Sequence, residues 1–378
     1  MMVPKLRFKE FNTSWNQEQI GNILTIGSGR DYKHLSYGEV PVFGTGGLMT
    51  YVDEFLHNGE TVCIGRKGTI DKPFYYSGKI WTVDTLFFTH SFTKVLPKFV
   101  LNLFLNINWK EHNEASGVPS LSKSTIEKIE VFYPDSREQT KIADFFSAID
   151  EKIILLNKQY DLLCQYKKGM MQKIFSQELR FKDESGEAFP EWEYVDLKEI
   201  ASKVNIKNRD NLVSVVLTNS ATQGIVSQDS YFEREIVTES NLAGYYVVNI
   251  GDFVYNPRIS ATAPVGPIKM NELIQGVMSP LYTVFRFKKG LLKFYQYFFE
   301  SSVWHDYMKS VANSGARHDR MNISGADFFA LPVSQPIEAE QTKIAEFLSA
   351  IDEKISAKKA ERDKLKTWKL GLLQQMFV

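Results

Sequence analysis

Cysteine is nearly absent from this chain of 378 residues, which carries only Cys63 and Cys164. These two lie in different segments, so neither a disulfide framework nor a thiolate zinc site is expected. Long apolar runs are missing too, since no stretch reaches the roughly 18 residues that a membrane span needs. Residues 1–20 also lack the pattern of a signal peptide. The sequence therefore predicts a soluble, cytoplasmic protein.

An excess of charge of either sign is also missing, because 45 Lys and Arg balance 45 Asp and Glu. A protein that binds nucleic acid alone usually carries a basic footprint. We therefore expect any DNA contact to come from local patches or to be supplemented by a partner.

Recognisable catalytic motifs are lacking as well. The glycines of FGTGG at residues 43–47 are out of phase with the FxGxG loop for S-adenosylmethionine. The YNPR at residues 255–258 lacks the second proline and the aromatic of an amino-methyltransferase NPPY/F motif. Neither a P-loop for ATP nor an HExxH motif is present. We expect no catalytic and no metal-binding residue, although the scattered Asp and Glu leave a nuclease carboxylate cluster open.

The main positive feature is an internal duplication. EQTKIADFFSAIDEKI begins at Glu138, and EQTKIAEFLSAIDEKI begins 202 residues later at Glu340. Such a separation is far longer than a solenoid repeat, so each unit is domain-sized. Shorter matches precede it in the same order, among them LRFK at residues 6–9 and 179–182. The sequence predicts four segments: a first globular domain at 1–134, a long helix at 135–178, a second globular domain at 179–337 and a second long helix at 338–378.

The two helical segments have the pattern of a coiled coil. Apolar residues recur every three or four positions from Ile142 to Ile174, with Lys167 as the one interruption. Pro134 and an Asp135/Glu138 capping box mark the start of the first helix. If the second helix runs back along the first, the result is an antiparallel coiled coil with pseudo-two-fold symmetry.

Both globular segments show short alternating strands and glycine turns, followed in the second by an aromatic-rich helix from about Leu291 to Ser310. This pattern is typical of an α+β unit. The predicted fold class is therefore α+β, with two globular domains that are each followed by a long helix.

Polar residues in the repeated helical segments are identical although the attached domains have diverged. Burial does not explain this identity, and two copies of one partner that contact the same surface would explain it. The alternative is a solvated face that drifted slowly. The predicted partner-binding residues are Gln139, Lys141, Asp150, Lys152, Gln341, Lys343, Asp352 and Lys354.

Basic and amide side chains stand in glycine or proline turns of both globular segments. Such groups read guanine and adenine edges in the major groove, and glycine lets the backbone approach phosphate. Arg66 and Arg258 stand out because both follow a matched Gly-acid-x-Val element. For any one residue the alternative is an ordinary surface charge. The predicted DNA-binding residues are Gly44, Arg66, Lys67, Lys72, Gly117, Asn256, Arg258, Arg317, His318, Arg320 and Asn322.

This arrangement resembles the specificity subunit of a type I restriction-modification system over the whole chain. The resemblance is carried by the matching EQ-x-x-IA-x-F-x-S-x-ID segments at Glu138 and Glu340. It implies that each globular domain is a target-recognition domain for half of an interrupted double-stranded DNA site, and that the helices fix the gap. It also implies two modification subunits docked on the helices, with restriction subunits joining them. S-adenosylmethionine, and ATP with Mg²⁺, would then be bound by those partners and not by this chain.

Two other classes of protein remain open at this stage. A two-domain scaffold or lectin-like binding module could also use a duplicated helix. A nuclease or methyltransferase acting alone would need catalytic motifs that the sequence does not display.

Overall fold

The computed structural model describes residues 3–228, 239–313 and 319–378, and among the helices of these residues none is long and apolar enough to cross a membrane. The described residues divide into two compact units. The first contains the chain up to Gln159 together with Lys358–Val378, and the second contains Tyr160–Ala357. Each long helix contributes one half to each unit, so the compact units do not coincide with linear segments of the chain.

The first unit is built on a six-stranded sheet in the order β2-β7-β5-β6-β3-β4. All neighbours in this sheet are antiparallel except β3 and β6. A separate antiparallel pair joins β1 to β8. The elements are β1 (Asn16–Gln19), α1 (Ile20–Ile23), β2 (Thr25–Ser28), β3 (Val40–Gly44), β4 (Gly47–Val52), β5 (His57–Gly65), β6 (Phe74–Thr82), β7 (Leu86–His90), α2 (Pro97–Asn106), a 3-10 helix (Trp109–His112), α3 (Lys123–Lys128), β8 (Glu130–Tyr133) and α4 (Ser136–Phe175).

The second unit contains a smaller antiparallel sheet in the order β10-β17-β14-β15. Three two-stranded pairs, β11-β12, β13-β16 and β9-β18, surround it. The elements are β9 (Glu193–Asp196), α5 (Leu197–Ile200), β10 (Ala201–Lys203), β11 (Leu217–Ser220), β12 (Gly224–Ser227), a 3-10 helix (Glu239–Gly244), β13 (Tyr246–Val248), β14 (Phe253–Tyr255), β15 (Ile268–Met270), β16 (Gly276–Met278), β17 (Thr283–Phe287), α6 (Leu292–Glu300), α7 (His305–Val311), α8 (Gly325–Phe329), β18 (Pro332–Gln335) and α9 (Glu338–Met376).

The two units repeat the same connections. In the first unit β1, which leads into the short helix α1, pairs with β8, which precedes the long helix α4. In the second unit β9, which leads into α5, pairs with β18, which precedes the long helix α9. The ladders β2-β7-β5 and β10-β17-β14 are also equivalent. Each half combines mainly antiparallel sheets with helices that do not alternate regularly with the strands, so the predicted α+β class is confirmed.

The halves of the long helices pack side by side in each unit. In the first unit the rings of Phe145 on α4 and Trp368 on α9 are 6.2 Å apart. Further along α4, Asn157 accepts a hydrogen bond from Arg362 at 3.4 Å. Because the residue number rises along one helix as it falls along the other, the helices are antiparallel, as predicted. In both units their apolar residues continue the core of the globular part, with Ile142 and Phe146 in one and Ile344 and Leu348 in the other.

The start of each long helix is fixed by the repeated Glu-Gln pair. Gln139 accepts a hydrogen bond from Leu96 N (2.8 Å), the residue that caps α2, and donates to the carbonyl oxygens of Lys94 and Pro134. Gln341 does the same in the second unit, with Leu291 N at 3.0 Å and the Pro336 oxygen at 2.9 Å. These amides therefore hold the long helix to the shorter one.

Candidate nucleic-acid interface

The turn between β5 and β6 forms a two-stranded ribbon with the segment before α3. Gly68 N donates to the oxygen of Pro119 (2.8 Å), and Leu121 N donates to the oxygen of Arg66 (2.9 Å). Lys67 and Ser120 face each other in this antiparallel bridge. The turn is held from the other side by Thr85, whose carbonyl oxygen accepts from Arg66 N and Lys67 N at 2.8 and 3.2 Å.

The second unit repeats this ribbon between the turn after β14 and the segment before α8. Ile259 N donates to the oxygen of Asp319 (3.0 Å), and Met321 N donates to the oxygen of Pro257 (2.9 Å). Arg258 and Arg320 face each other as Lys67 and Ser120 do. The two units therefore present the same backbone device with different side chains.

This equivalence corrects one sequence correspondence. The backbone pairing matches Arg258 with Lys67, and not with Arg66 as the sequence suggested. The short Gly-acid match fails because Gly59 lies inside the nine-residue strand β5, whereas Gly251 lies in the turn before β14. A match of two residues does not determine their position in a β-strand or the residues with which they pair.

Two clefts border the ribbon of the first unit. One, of about 300 Å³, is lined by Arg66, Lys67, Phe87 and residues 120–123, and the Arg66 guanidinium lies 5.8 Å from the centre of the Phe87 ring. The other, of about 660 Å³, is lined by the glycine turn at residues 44–47 and by residues 83–85. Arg66 and Lys67 thus line one cleft and Gly44 lines the other, and Thr85 of the second cleft is hydrogen bonded to the backbone of both basic residues.

The remaining predicted residues of the first unit, Gly117 and Lys72, are not among the lining residues of either cleft. Gly117 is in the loop that ends at Pro119, and a side chain at Gly117 would meet nothing within 4 Å. Lys72 lies further along the β5–β6 turn, next to Asp71, which pairs with Lys110 at 3.1 Å. Among the described residues no hydrogen bond or ion pair joins Lys72 to Arg66 or Lys67.

In the second unit Asn256 and Asp319 organise the ribbon. The Asn256 side chain accepts from Arg258 N (3.0 Å) and donates to the oxygen of Asn219 (3.0 Å), so its amide holds the turn. Asp319 lies between the two arginines, 3.7 Å from Arg258 Nε and 3.8 Å from Arg320 Nε. The Arg258 side chain is 63% exposed and that of Arg320 is 25% exposed. Arg258 is therefore the side chain that is free to reach a ligand.

Three predicted residues of the second unit remain, of which the structure describes Asn322. Asn322, directly after the ribbon residue Met321, is exposed, and its carbonyl oxygen accepts from Asn313 N at 2.9 Å. Arg317 and His318 lie outside the described residues.

The predicted partner-binding residues separate into three groups. Gln139 and Gln341 are 1% and 2% exposed and hydrogen bonded inside the chain, so assigning their side chains to a partner surface is wrong. Asp150 and Asp352 are half-buried and form ion pairs with lysines of the facing helix. Lys141, Lys152 and Lys354 are exposed, and Lys343 is partly exposed. Lys141 also pairs with Glu10 at 3.0 Å, and Lys152 lies 3.7 Å from Glu361.

Sequence reasoning missed several residues that hold these elements in place. Lys167 interrupts the apolar seam because it pairs with Asp352 and Glu300. Its counterpart Lys369 pairs with Asp150. The signal was present, because Lys167 and Lys369 are separated by the same 202 residues as the repeated segments. Extending the alignment beyond the sixteen identical positions would have found it.

Among the described residues no group of His, Cys, Asp or Glu is arranged to hold a metal ion. The side chains at both ribbons are hydrogen-bond donors and cations, with glycine turns beside the first. Such an arrangement can contact base edges and phosphate oxygens.

Comparison with protein families gives a match over most of the chain. A family model described as the type I restriction modification DNA specificity domain matches residues 12–164 and again residues 190–367. Each match covers one globular part and much of the long helix that follows it. The duplication seen in the sequence and in the strand pairing is therefore two copies of one family domain.

Individual relatives agree with the family match. The chain is 31% identical over 149 residues to the type I restriction enzyme MjaVIII specificity subunit of Methanocaldococcus jannaschii, a match that covers 38% of this chain and 33% of that protein. It is 23% identical over 337 residues to a protein predicted to be the MjaX specificity subunit of the same organism, covering 82% of this chain and 75% of the relative.

Solved structures show a similar fold. The S subunit of a type I restriction-modification system from M. genitalium superimposes with a TM-score of 0.60 at 14% identity, covering 100% of this chain and 99% of that one. A chain from a structural study of type I R-M complex assembly and conformational transition gives a TM-score of 0.54 at 11% identity, covering 97% and 98%.

Proposed function

Because this chain belongs to the family of type I restriction-modification DNA specificity subunits, which recognise DNA and are not catalytic, we propose that it reads an interrupted DNA site. Each target-recognition domain contacts one half-site. The two ribbons and the clefts beside them form the reading surfaces.

The observation that carries this proposal is the repeated ribbon. Both units place a cationic residue at the same backbone position, Lys67 in one and Arg258 in the other. The residues opposite them differ, since Ser120 faces Lys67 and Arg320 faces Arg258. An unchanged backbone with changed side chains is suited to two reading sites that recognise different base sequences.

The side chains match the chemistry of the major groove. An arginine guanidinium can form two hydrogen bonds to guanine, which makes the exposed Arg258 a reader of a base edge. The glycine turn at residues 44–47 lets backbone amides approach phosphate oxygens. Phosphate contacts set the position on the duplex, and contacts to base edges select the sequence.

We further propose that two modification subunits dock on the exposed residues that the two helices share. These residues are exposed in both copies and follow helical spacing, so they form one face of each helix: Asp144 and Glu346, Ala148 and Ala350, Glu151 and Glu353, and Lys152 and Lys354. Two copies of one subunit can contact this face in the same way. Restriction subunits would join that assembly.

The balanced charge of the chain supports a division of work among these subunits. With 45 cations and 45 anions, the chain offers few phosphate contacts beyond its ribbons. The modification subunits would close around the DNA and would bind S-adenosylmethionine, while ATP and Mg²⁺ would serve the restriction subunits. Target adenines would be flipped out of the duplex into the pocket of the modification subunit.

Genome-wide mapping of methyladenine tests this function. Cells that express the chain with its methyltransferase partner are compared with cells that express the partner alone. Loss of methylation at one interrupted, asymmetric motif would establish the specificity role. A methylation pattern that is the same in both cells would contradict it and would favour a two-domain scaffold.

A further inference from the structure

Largely buried lysines form ion pairs between the long helices, one such pair in each compact unit, whereas the Lys152–Glu361 pair is more exposed. In the first unit Lys369 Nζ lies 2.6 and 2.8 Å from the two carboxylate oxygens of Asp150. In the second unit Lys167 Nζ lies 2.8 and 2.9 Å from those of Asp352. The side chains of Lys369 and Lys167 are 14% and 15% exposed, and those of Asp150 and Asp352 are 39% and 38% exposed. The two pairs are therefore alike in geometry and in burial.

These contacts are the same pair made twice. Asp150 and Asp352 are separated by 202 residues, and so are Lys167 and Lys369. The repeat in the sequence therefore supplies one lysine and one aspartate in each helix. The antiparallel arrangement then joins the lysine of one copy to the aspartate of the other.

The second pair also reaches the recognition domain. Lys167 lies 2.9 Å from Glu300 at the end of α6, and Tyr297 of the same helix donates to Asp352 at 2.7 Å. Burial lowers the pKa of Lys167, but Glu300 and Asp352 outweigh burial and raise it. Lys167 is consequently charged across the neutral range, and it lies between two carboxylates.

No other register of the two helices within one heptad satisfies both pairs. Three slips toward the start of the second helix would bring another basic residue opposite Asp150: Arg362, Lys364 or Lys366. The same slips bring uncharged residues opposite Lys167: Ala345, Phe347 or Ser349. In the opposite direction, residues 370–376 contain no basic residue. A slipped pair of helices would therefore break at least one of the two lysine–aspartate pairs, and removing one partner of a largely buried ion pair is costly.

We propose that the pairs Lys369–Asp150 and Lys167–Asp352 fix the register of the two long helices and thereby set the length of the spacer between the two half-sites. This inference rests on the proposed function. The four residues are positioning residues, because they act through the helices and do not contact DNA. A single polar position in a coiled-coil seam is known to select one register over others, at some cost in stability.

The test uses the full chain with its methyltransferase partner and maps methyladenine by spacer length. Replacing both pairs with leucine (Asp150→Leu, Lys369→Leu, Lys167→Leu and Asp352→Leu) keeps the seam buried but removes its register signal. Sites with a spacer that is longer or shorter than in the wild type should gain methylation by about tenfold. Both half-sites should still be read, because the ribbons are unchanged.

A charge exchange separates register from stability. Asp150→Lys alone places two lysines together and should weaken methylation at the wild-type spacer. Adding Lys369→Asp restores a pair of opposite charges and should restore methylation at sites with the wild-type spacer. Lys173→Asp is a matched control, since Lys173 is 54% exposed and pairs at 3.0 Å with Glu178, just beyond the end of its own helix, and not with the facing helix.

The possible outcomes are distinct. A leucine variant that methylates only the wild-type spacer would overturn the inference, as would an exchanged pair that fails to restore it. In either case the wild-type chain would still direct methylation to an interrupted motif, so the proposed function would stand. If the wild-type chain does not direct methylation to an interrupted motif, the proposed function fails, and the inference fails with it.

Discussion

Arg7 and Glu138 form a two-pronged ion pair, with guanidinium nitrogens 2.7 and 2.6 Å from the carboxylate oxygens. Glu138 is fully buried, and the Arg7 side chain is 12% exposed. Hydrogen bonding to Glu138 raises the pKa of Arg7. The pair recurs as Arg180 and Glu340 in the second unit, where Trp192 also donates to Glu340 at 2.8 Å. In each unit the repeated LRFK segment thus supplies the arginine of this ion pair, and the repeated EQ pair supplies the glutamate.

We expect Glu138→Ala to destabilise the first unit by about 3 kcal/mol, because it leaves a largely buried guanidinium without its carboxylate. Calorimetry should show this as a transition lowered by roughly 6–12 °C. Glu10→Ala is the control, since Glu10 and Lys141 are both 52% exposed, and it should leave the transition unchanged. Equal effects of the two substitutions would show that burial of the Arg7 pair contributes nothing.

The sequence predicted the architecture because its strongest signals are local or repeated. Alternating strands indicated the α+β class, and the apolar spacing from Ile142 indicated a long helix, which the structure shows as Ser136–Phe175. The 202-residue repeat predicted equivalent units, and the paired ladders of the two sheets agree with it. The apolar seam indicated that the two helices pair, but it did not determine their antiparallel direction.

The sequence could not assign the polar residues of the helices, because their partners are distant in the chain. Asp150 and Lys369 are 219 residues apart, and no local pattern links them. Gln139 resembled a surface residue by type, yet it caps a helix that begins 42 residues earlier, at Pro97. Identity between copies showed that these positions are constrained, but it did not distinguish an internal contact from an external one.

Arg258→Ala should relax recognition at one position of one half-site. Loss of a two-pronged contact to guanine costs roughly 1–3 kcal/mol of discrimination, so methylation should spread to sites that differ at that base pair. The other half-site should be read as before. Lys309→Ala is a matched control, because Lys309 is exposed and pairs with Asp306 of its own helix. A methylation motif that does not change would remove Arg258 from the reading surface.

Gly266→Ala should disturb the second reading surface by displacing the Asn256 turn that supports it. Gly266 has a φ of +80°, and a Cβ at this position would lie 2.1 Å from the carbonyl oxygen of Asn256. The Asn256 turn must move to make room, and Arg258 moves with it. Recognition of one half-site should therefore weaken while the other is retained. Gly325→Ala, which meets nothing within 4 Å, should leave both half-sites unaffected. An unaltered motif in the Gly266 variant would show that the position of the turn is not critical.

Lengthening both long helices by one heptad should lengthen the spacer of the recognised site. Seven residues add roughly 10 Å to a helix at ~1.5 Å per residue. Since DNA rises ~3.4 Å per base pair, the spacer should grow by about three base pairs. The insertions belong between the two ion pairs, after Lys158 in one helix and after Lys358 in the other, so that both pairs can still form. An insertion in one helix alone cannot satisfy both pairs, and it should abolish methylation at a single defined spacer. If the matched insertions leave the spacer unchanged, the helices do not act as the ruler, and the loops of the two recognition domains must set the gap instead.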